Sequence, residues 1–190
     1  TTNQDAQFHR VFPEERITRL QGDWRYFQCK DRCHDAIYYN KDMVMELTER
    51  IEHDSLPEMA IPRCPVCGSE MDAWVRSYNF LQGSFYQKEV QRYMDFLQAH
   101  SQGKVLFLEL GVGMMTPMFI KEPFINMTYQ MPHAFYVPIN QLHAIIPDEI
   151  KQKSMAVEAD IAVTLKTLLG KSTSQMNEGG DKDIFNPSRI

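Results

Sequence analysis

Four cysteines stand in two close pairs, Cys29-x3-Cys33 and Cys64-x2-Cys67, and they are all the cysteines the chain has. Two or three residues between thiolates fit one tight turn, and two such turns can aim four sulfurs at one point. Zinc accepts that tetrahedral shell at about 2.3 Å per bond. Buried inert thiols and a redox pair are the ordinary alternatives. A chain that places every cysteine in such pairs, with no visible signal peptide, favours metal over both. Pro65 and Gly68 suit the second turn. A closed four-sulfur shell has no open position for substrate, so the expected Zn²⁺ is structural. His34 and His53 are spare ligands by type and are expected to be solvated.

A second set of residues suits a nucleotide. Gly111, Val112 and Gly113 follow the apolar run Lys104-Val-Leu-Phe-Leu-Glu-Leu110. Glycines after a buried strand let the backbone approach a phosphate or ribose, and ligands lie at the carboxyl ends of parallel strands. The third glycine of the dinucleotide fingerprint is missing, and packing alone is an equal explanation for one of the two glycines. Asn126 reads as ending or interrupting another apolar strand, where a ribose hydroxyl or a local turn bond would satisfy its amide. Asp160 reads most simply as a helix cap before Ile161.

These residues need elements to hold them. Residues 16–27 alternate in part, as for a strand, a turn at Gly22 and a second strand. The stretch from Lys41 to His53 has helical spacing, with Val44, Leu47 and Ile51 on one face. Pro57, Pro62 and Pro65 close it and frame the second cysteine pair. Residues 70–76 read as a strand, and Ser84 to about Ser101 as a helix with Val90, Tyr93, Met94 and Leu97 on its apolar face. The run before Gly111 reads as a strand buried on both faces of a parallel sheet. Residues 124–129 and 135–139 read as further strands, and a last helix follows Asp160 and stops at Gly170. Residues 171–190 are polar and aperiodic and read as a flexible tail. The expected class is α/β: a partial Rossmann-like parallel sheet with helices and an inserted four-cysteine zinc-ribbon module. Residues 1–28 and 77–170 would form the nucleotide half, and residues 29–76 the zinc module.

With 190 residues and 43% hydrophobic side chains, the chain can bury a core. A net charge of −5 argues against nucleic acid as a partner. No apolar run reaches the roughly 18 residues of a membrane helix. A cytoplasmic location is expected.

The ordered set resembles the sirtuin family over residues 1 to about 170. Thr1-Thr2-Asn3-Gln4-Asp5 resembles its T-Q-N-x-D stretch, and Leu20-Gln21-Gly22 its L-H-G, ahead of two cysteine pairs. Gly111 to Pro117 loosely resembles a G-T/S-S-L-x-V-x-P strand end, Ile125-Asn126 an I-N pair, and Asp160 the start of an acidic-capped helix. The first cysteine spacing is one residue longer than in the family, and thirty residues separate Cys33 from Cys64, a longer insert than most members have.

The resemblance implies NAD as substrate. It implies that Thr2, Asn3, Asp5, Gly111, Val112, Gly113, Asn126, Asp160 and Ile161 bind it, with Asn3 and Gln21 at the reacting ribose. The position of the family's general-base histidine is Gln21. That departure resembles the class M sirtuins, which are protein ADP-ribosyltransferases. It implies a lipoylated carrier protein, related to the glycine-cleavage H protein, as acceptor and a macrodomain hydrolase as functional partner. A deacylase using another base, a plain NAD hydrolase and a non-catalytic zinc-ribbon module are the alternatives. The family's phosphate loop and first strands are expected to precede Thr1. The 190 residues alone are therefore expected to be inactive, with a sheet edge covered by a second copy.

Overall fold

The computed structural model describes residues 1–170. The flexible-tail reading of residues 171–190 lies outside them. The chain divides into two compact units, Thr1–Phe96 and a second beginning at Leu97.

The first unit is built on a three-stranded antiparallel sheet in the order β2-β1-β3: β1 Gly22–Cys29, β2 Ile37–Tyr39 and β3 Met71–Val75. β1 is central, and its register to β3 shifts between Gly22 and Phe27. Trp74 is fully buried and meets Tyr26, Phe80 and Phe85, with ring centroids 5.3 to 6.1 Å apart. Gly22 has φ +83, and a side chain there would run into the Trp74 carbonyl. Only glycine meets both demands at that turn. The residues expected in the nucleotide half at 1–28 thus pack in the same unit as the cysteine-bearing sheet.

Residues 16–20 do not form the strand their alternation indicates. A 3-10 turn covers Glu14–Arg16, and the chain then runs to β1 on side-chain support. Arg19 and Glu89 are both almost completely buried. The Arg19 N–H and Nε donate to the Glu89 carboxylate at 3.0 Å, Arg19 also pairs with Glu14, and it reaches Asp23 at 3.4 Å. An unpaired buried charge is expensive, so removing one partner costs about 3–5 kcal/mol. Glu89 lies on α2, Ser84–His100, which begins where expected.

The insert between the cysteine pairs carries α1, Lys41–Glu49. It stops four residues short of His53, and none of its residues is buried, so the Val44–Leu47 stripe covers no core among the described residues.

The second unit holds a parallel pair, β4 Val105–Leu110 and β5 Ala134–Ile139, in register from Val105 opposite Ala134 to Leu110 opposite Ile139. Parallel neighbours need a crossover, and here it is α3, Lys121–Gln130. This corrects the strand expected at residues 124–129. Phe, Ile, Thr and Tyr favour strands locally, but Pro123 sits in the first helical turn, where proline is tolerated. Phe124, Met127 and Met131 then recur at helical spacing and pack with Phe107, Ala134, Tyr136 and Ile150. Among the described residues β4 is also not covered on both faces: Phe107 and Glu109 are buried, whereas Leu106, Leu108 and Leu110 are 59%, 40% and 39% exposed. Residues near 154–157 continue the pairing beside β5 through parallel bridges Tyr136–Ser154 and Ile139–Val157. α4, Ile161–Leu168, follows Asp160 and ends before Gly170, at φ +67. Among the described residues, no helix is long and apolar enough to cross a membrane.

Candidate functional site

The four cysteine ligand atoms lie within 4.8 Å of one another, and all four cysteines are free. Cys29 ends β1, and Arg32, left-handed at φ 51, turns the chain toward Cys33 while donating its N–H to the Cys29 carbonyl at 3.0 Å. In the second knuckle Cys64 N–H donates to Ser69 O and Gly68 N–H to Cys64 O, with Gly68 at φ +76. The Cys29–Cys67 and Cys33–Cys64 sulfurs are 3.6 Å apart. A tetrahedron with 2.3 Å metal–sulfur bonds would set them about 3.8 Å apart.

The donor set fits a soft divalent cation. Hydrogen bonds from Ser69 bring the Cys67 thiol down to about 6, while the crowding thiols, Cys67 first, push Cys33 up. Adjacent thiols cannot all ionise unless a positive charge sits among them. His34 is not simply solvated: its Nδ1 lies 3.1 Å from Cys33 Sγ and its Nε2 2.7 Å from the Tyr38 hydroxyl. It therefore acts beside the cluster and supports it. His53 is exposed in a left-handed turn.

Within the first unit, the segment carrying Thr2, Asn3 and Asp5 runs beside residues 20–24. Leu20 N–H donates to Thr1 O, Trp24 N–H to Gln4 O, and Gln4 Nε2 to Gln21 O. Gln21 O also accepts the Arg76 N–H, and the Arg76 guanidinium reaches Leu20 O at 3.1 Å. The Gln21 backbone is thus fixed from two sides. The side-chain amides of Asn3 and Gln21 hydrogen-bond to none of the described residues. Asp5 is exposed and accepts the Gln7 N–H, a local turn bond.

Within the second unit, Gly111, Val112 and Gly113 follow β4, and the Gly111 N–H donates to Ile139 O. Gly111 has φ +71, and a Cβ there would lie 3.0 Å from Ile161 Cδ1, so its own geometry explains that glycine. A Cβ on Gly113 would meet nothing within 4 Å, which leaves room for a ligand against the backbone. Asp160 is a helix cap, its carboxylate accepting the Val163 N–H at 2.9 Å. Gly111, Val112 and Ile161 come together, whereas Asn126 does not join them: it lies exposed in the middle of α3.

The asparagine at the strand end is Asn140, which the sequence reading missed. It follows Ile139 directly, is 9% exposed, and donates from Nδ2 to Val112 O at 3.1 Å. Its Oδ1 accepts the N–H groups of Leu142 and His143. The signal was Pro138-Ile139-Asn140 at the end of a run already read as a strand.

A solved sirtuin chain, described as the structural basis for sirtuin substrate affinity, superposes with a TM-score of 0.51 over 90% of this chain and 64% of that one, at 16% identity. The chain has a sirtuin-like fold. No family model matches it. The chain is 32% identical, over 98% of its length and 61% of the relative's, to "Protein ADP-ribosyltransferase" of Staphylococcus aureus. Over 65% of its length and 22% of the relative's, it is 30% identical to "Probable bifunctional ADP-ribose hydrolase/ADP-ribosyltransferase" of Fusarium oxysporum. The chain therefore spans about three fifths of the first relative and about a fifth of the second.

Proposed function

We propose that this chain is part of an NAD-dependent protein ADP-ribosyltransferase, with one structural Zn²⁺ held by Cys29, Cys33, Cys64 and Cys67. The observation that carries the reaction class is Gln21, whose amide hydrogen-bonds to none of the described residues and whose backbone is held by Arg76 and Gln4. Deacylation needs a base that takes a proton from a ribose hydroxyl at working pH. An amide orients groups through hydrogen bonds and cannot take that proton. Transfer then runs directly. The bond from ribose C1′ to the nicotinamide nitrogen breaks, nicotinamide leaves with the bonding pair, and a nucleophile of the acceptor protein bonds to C1′ and releases its proton.

In this proposal, as the resemblance implies, Asn3 and Gln21 act at the nicotinamide ribose, with Thr2 and Asp5 shaping the segment around them. The proposal assigns Gly111, Val112, Gly113, Asn140, Asp160 and Ile161, all at the carboxyl end of the β4–β5 pair or after it, to nucleotide binding. The names of both sequence relatives support this reading. The resemblance extends the proposal to a lipoylated carrier protein as acceptor and a macrodomain hydrolase as functional partner, and a cytoplasmic setting is proposed beside them.

The test supplies NAD labelled in its ADP-ribose to the full-length protein, with a lipoylated carrier in one reaction and an acetyl-lysine peptide in another. Label on the carrier without deacylation is the expected result. Efficient deacylation with no label on the carrier would overturn it.

A further inference from the structure

We infer that Lys121 is a positioning residue for the nucleotide end of the parallel sheet: through Glu109 and the His143 carbonyl it holds the loop that Asn140 anchors. The ligand of that loop rests on the NAD reading above. Glu109 is a carboxylate inside a sheet, 1% exposed, and Lys121 at the start of α3 is 3% exposed. Lys121 Nζ donates to Glu109 Oε1 at 2.5 Å and to His143 O at 3.0 Å. The other carboxylate oxygen accepts the hydroxyl of Tyr136, itself wholly buried, at 2.5 Å. One ammonium group thereby joins three parts of the unit: β4, the head of α3 and the chain after β5.

Stability alone does not explain this arrangement. A buried ion pair is commonly no better for stability than apolar residues of similar volume. What this pair adds is its second bond, to a carbonyl at the carboxyl end of the sheet. His143 N–H and Leu142 N–H both donate to Asn140 Oδ1, and Asn140 Nδ2 donates to Val112 O. Lys121 holds the carbonyl side of His143 while Asn140 holds its amide side. Releasing the first loosens the turn that sets the Asn140 amide and, through Val112, the strand end before Gly113.

The test uses Lys121→Met combined with Glu109→Gln in the full-length protein. The single Lys121→Met change leaves a buried carboxylate without its cation and can prevent folding. The double variant removes both charges and keeps an amide oxygen for the Tyr136 hydroxyl. Amide hydrogen exchange is read residue by residue, and NAD affinity and steady-state kinetics alongside it. The expected result is exchange about tenfold faster at Leu142 and His143 with β4 and β5 still protected. NAD is expected to bind about tenfold more weakly, as for one lost positioned hydrogen bond, with KM for NAD raised and kcat retained. Unchanged exchange at Leu142 and His143 overturns the inference. So does a loosened loop with unaltered NAD affinity. A wild-type protein that does not bind NAD overturns the functional reading instead, and the exchange measurement still decides the role of Lys121 in the loop.

Discussion

Arg76 donates its backbone N–H to the carbonyl of Gln21 at 2.9 Å, and its guanidinium reaches the preceding carbonyl, Leu20, at 3.1 Å. The same guanidinium lies 4.8 Å from the centre of the Phe80 ring. The main chain at Gln21 is therefore set by residues outside its own segment, and its side chain can be exchanged without disturbing that frame. Gln21→Ala is expected to lower ADP-ribose transfer about tenfold or more while leaving the melting temperature nearly unchanged, since one positioned hydrogen bond is lost. Gln21→His restores a group with a pKa near neutrality and is expected to open some deacylation of acetyl-lysine peptides. Asn3→Ala is expected to be at least as damaging to transfer as Gln21→Ala. Parallel assays of transfer and deacylation on all three variants decide this. Full transfer by Gln21→Ala would remove Gln21 from the site.

Metal analysis of the purified protein is expected to return one zinc per chain. Cys29 and Cys64 are buried, so their replacement by serine is expected to lose the metal and the β1–β3 pairing together. A strong chelator is expected to lower the melting temperature sharply. A metal content well below one per chain in freshly prepared protein would end the zinc assignment.

Gly113 separates packing from ligand approach. Because a Cβ there meets nothing within 4 Å, Gly113→Ala is expected to change stability by less than about 0.5 kcal/mol, as surface substitutions do. It is nevertheless expected to weaken NAD binding. Gly111→Ala must hold φ +71 and displace Ile161, and is expected to destabilise the fold by about 1 kcal/mol or more. Calorimetry with and without NAD measures both. Equal NAD affinity for Gly113→Ala and wild type would show that no ligand approaches there.

His9 provides a pH signature. Its Nδ1 pairs with Glu14 at 2.7 Å, its Nε2 lies 3.7 Å from Asp23, and Arg25 and Arg19 stand beyond. Burial, and then the positive charge of Arg25, hold its pKa below the ordinary value. The unfolded chain therefore binds the proton more readily. The stability contributed by neutral His9 is present above about pH 6.5 and is lost as the pH falls through its lower folded pKa. The melting temperature is expected to fall between about pH 7 and pH 5, and His9→Gln is expected to flatten that slope. An identical slope in His9→Gln would assign the effect to other groups.

The elements legible in the sequence were those whose signals agree at every level. Cys29, Cys33, Cys64 and Cys67 announce a shared point because their spacing alone fixes two turns. α2 and α4 combine apolar periodicity with clear ends, and β4 is a glycine-bounded apolar run. Residues 124–129 misled because their side chains favour strands locally, and only the need for a crossover between parallel strands makes them a helix. That error placed the strand-end asparagine at Asn126 rather than Asn140. The Arg19–Glu89 and Lys121–Glu109 pairs were illegible for a different reason. Seventy residues separate the first two, and nothing local marks either charge as buried.

β1 and β3 pair across the long insert that separates the two cysteine pairs, with Cys29 opposite Met71. Closing such a loop is a slow entropic step, and the pairing gives nothing back until it is complete. With the proposed Zn²⁺ bound, the four thiolates would latch that loop as the strands zip. A chain leaving the ribosome would hold Cys29 and Cys33 ready well before Cys64 and Cys67 emerge. Maturation of the first unit would then be timed by synthesis and by the free zinc the cell maintains, so that metal scarcity acts first on newly made copies and only later on finished ones.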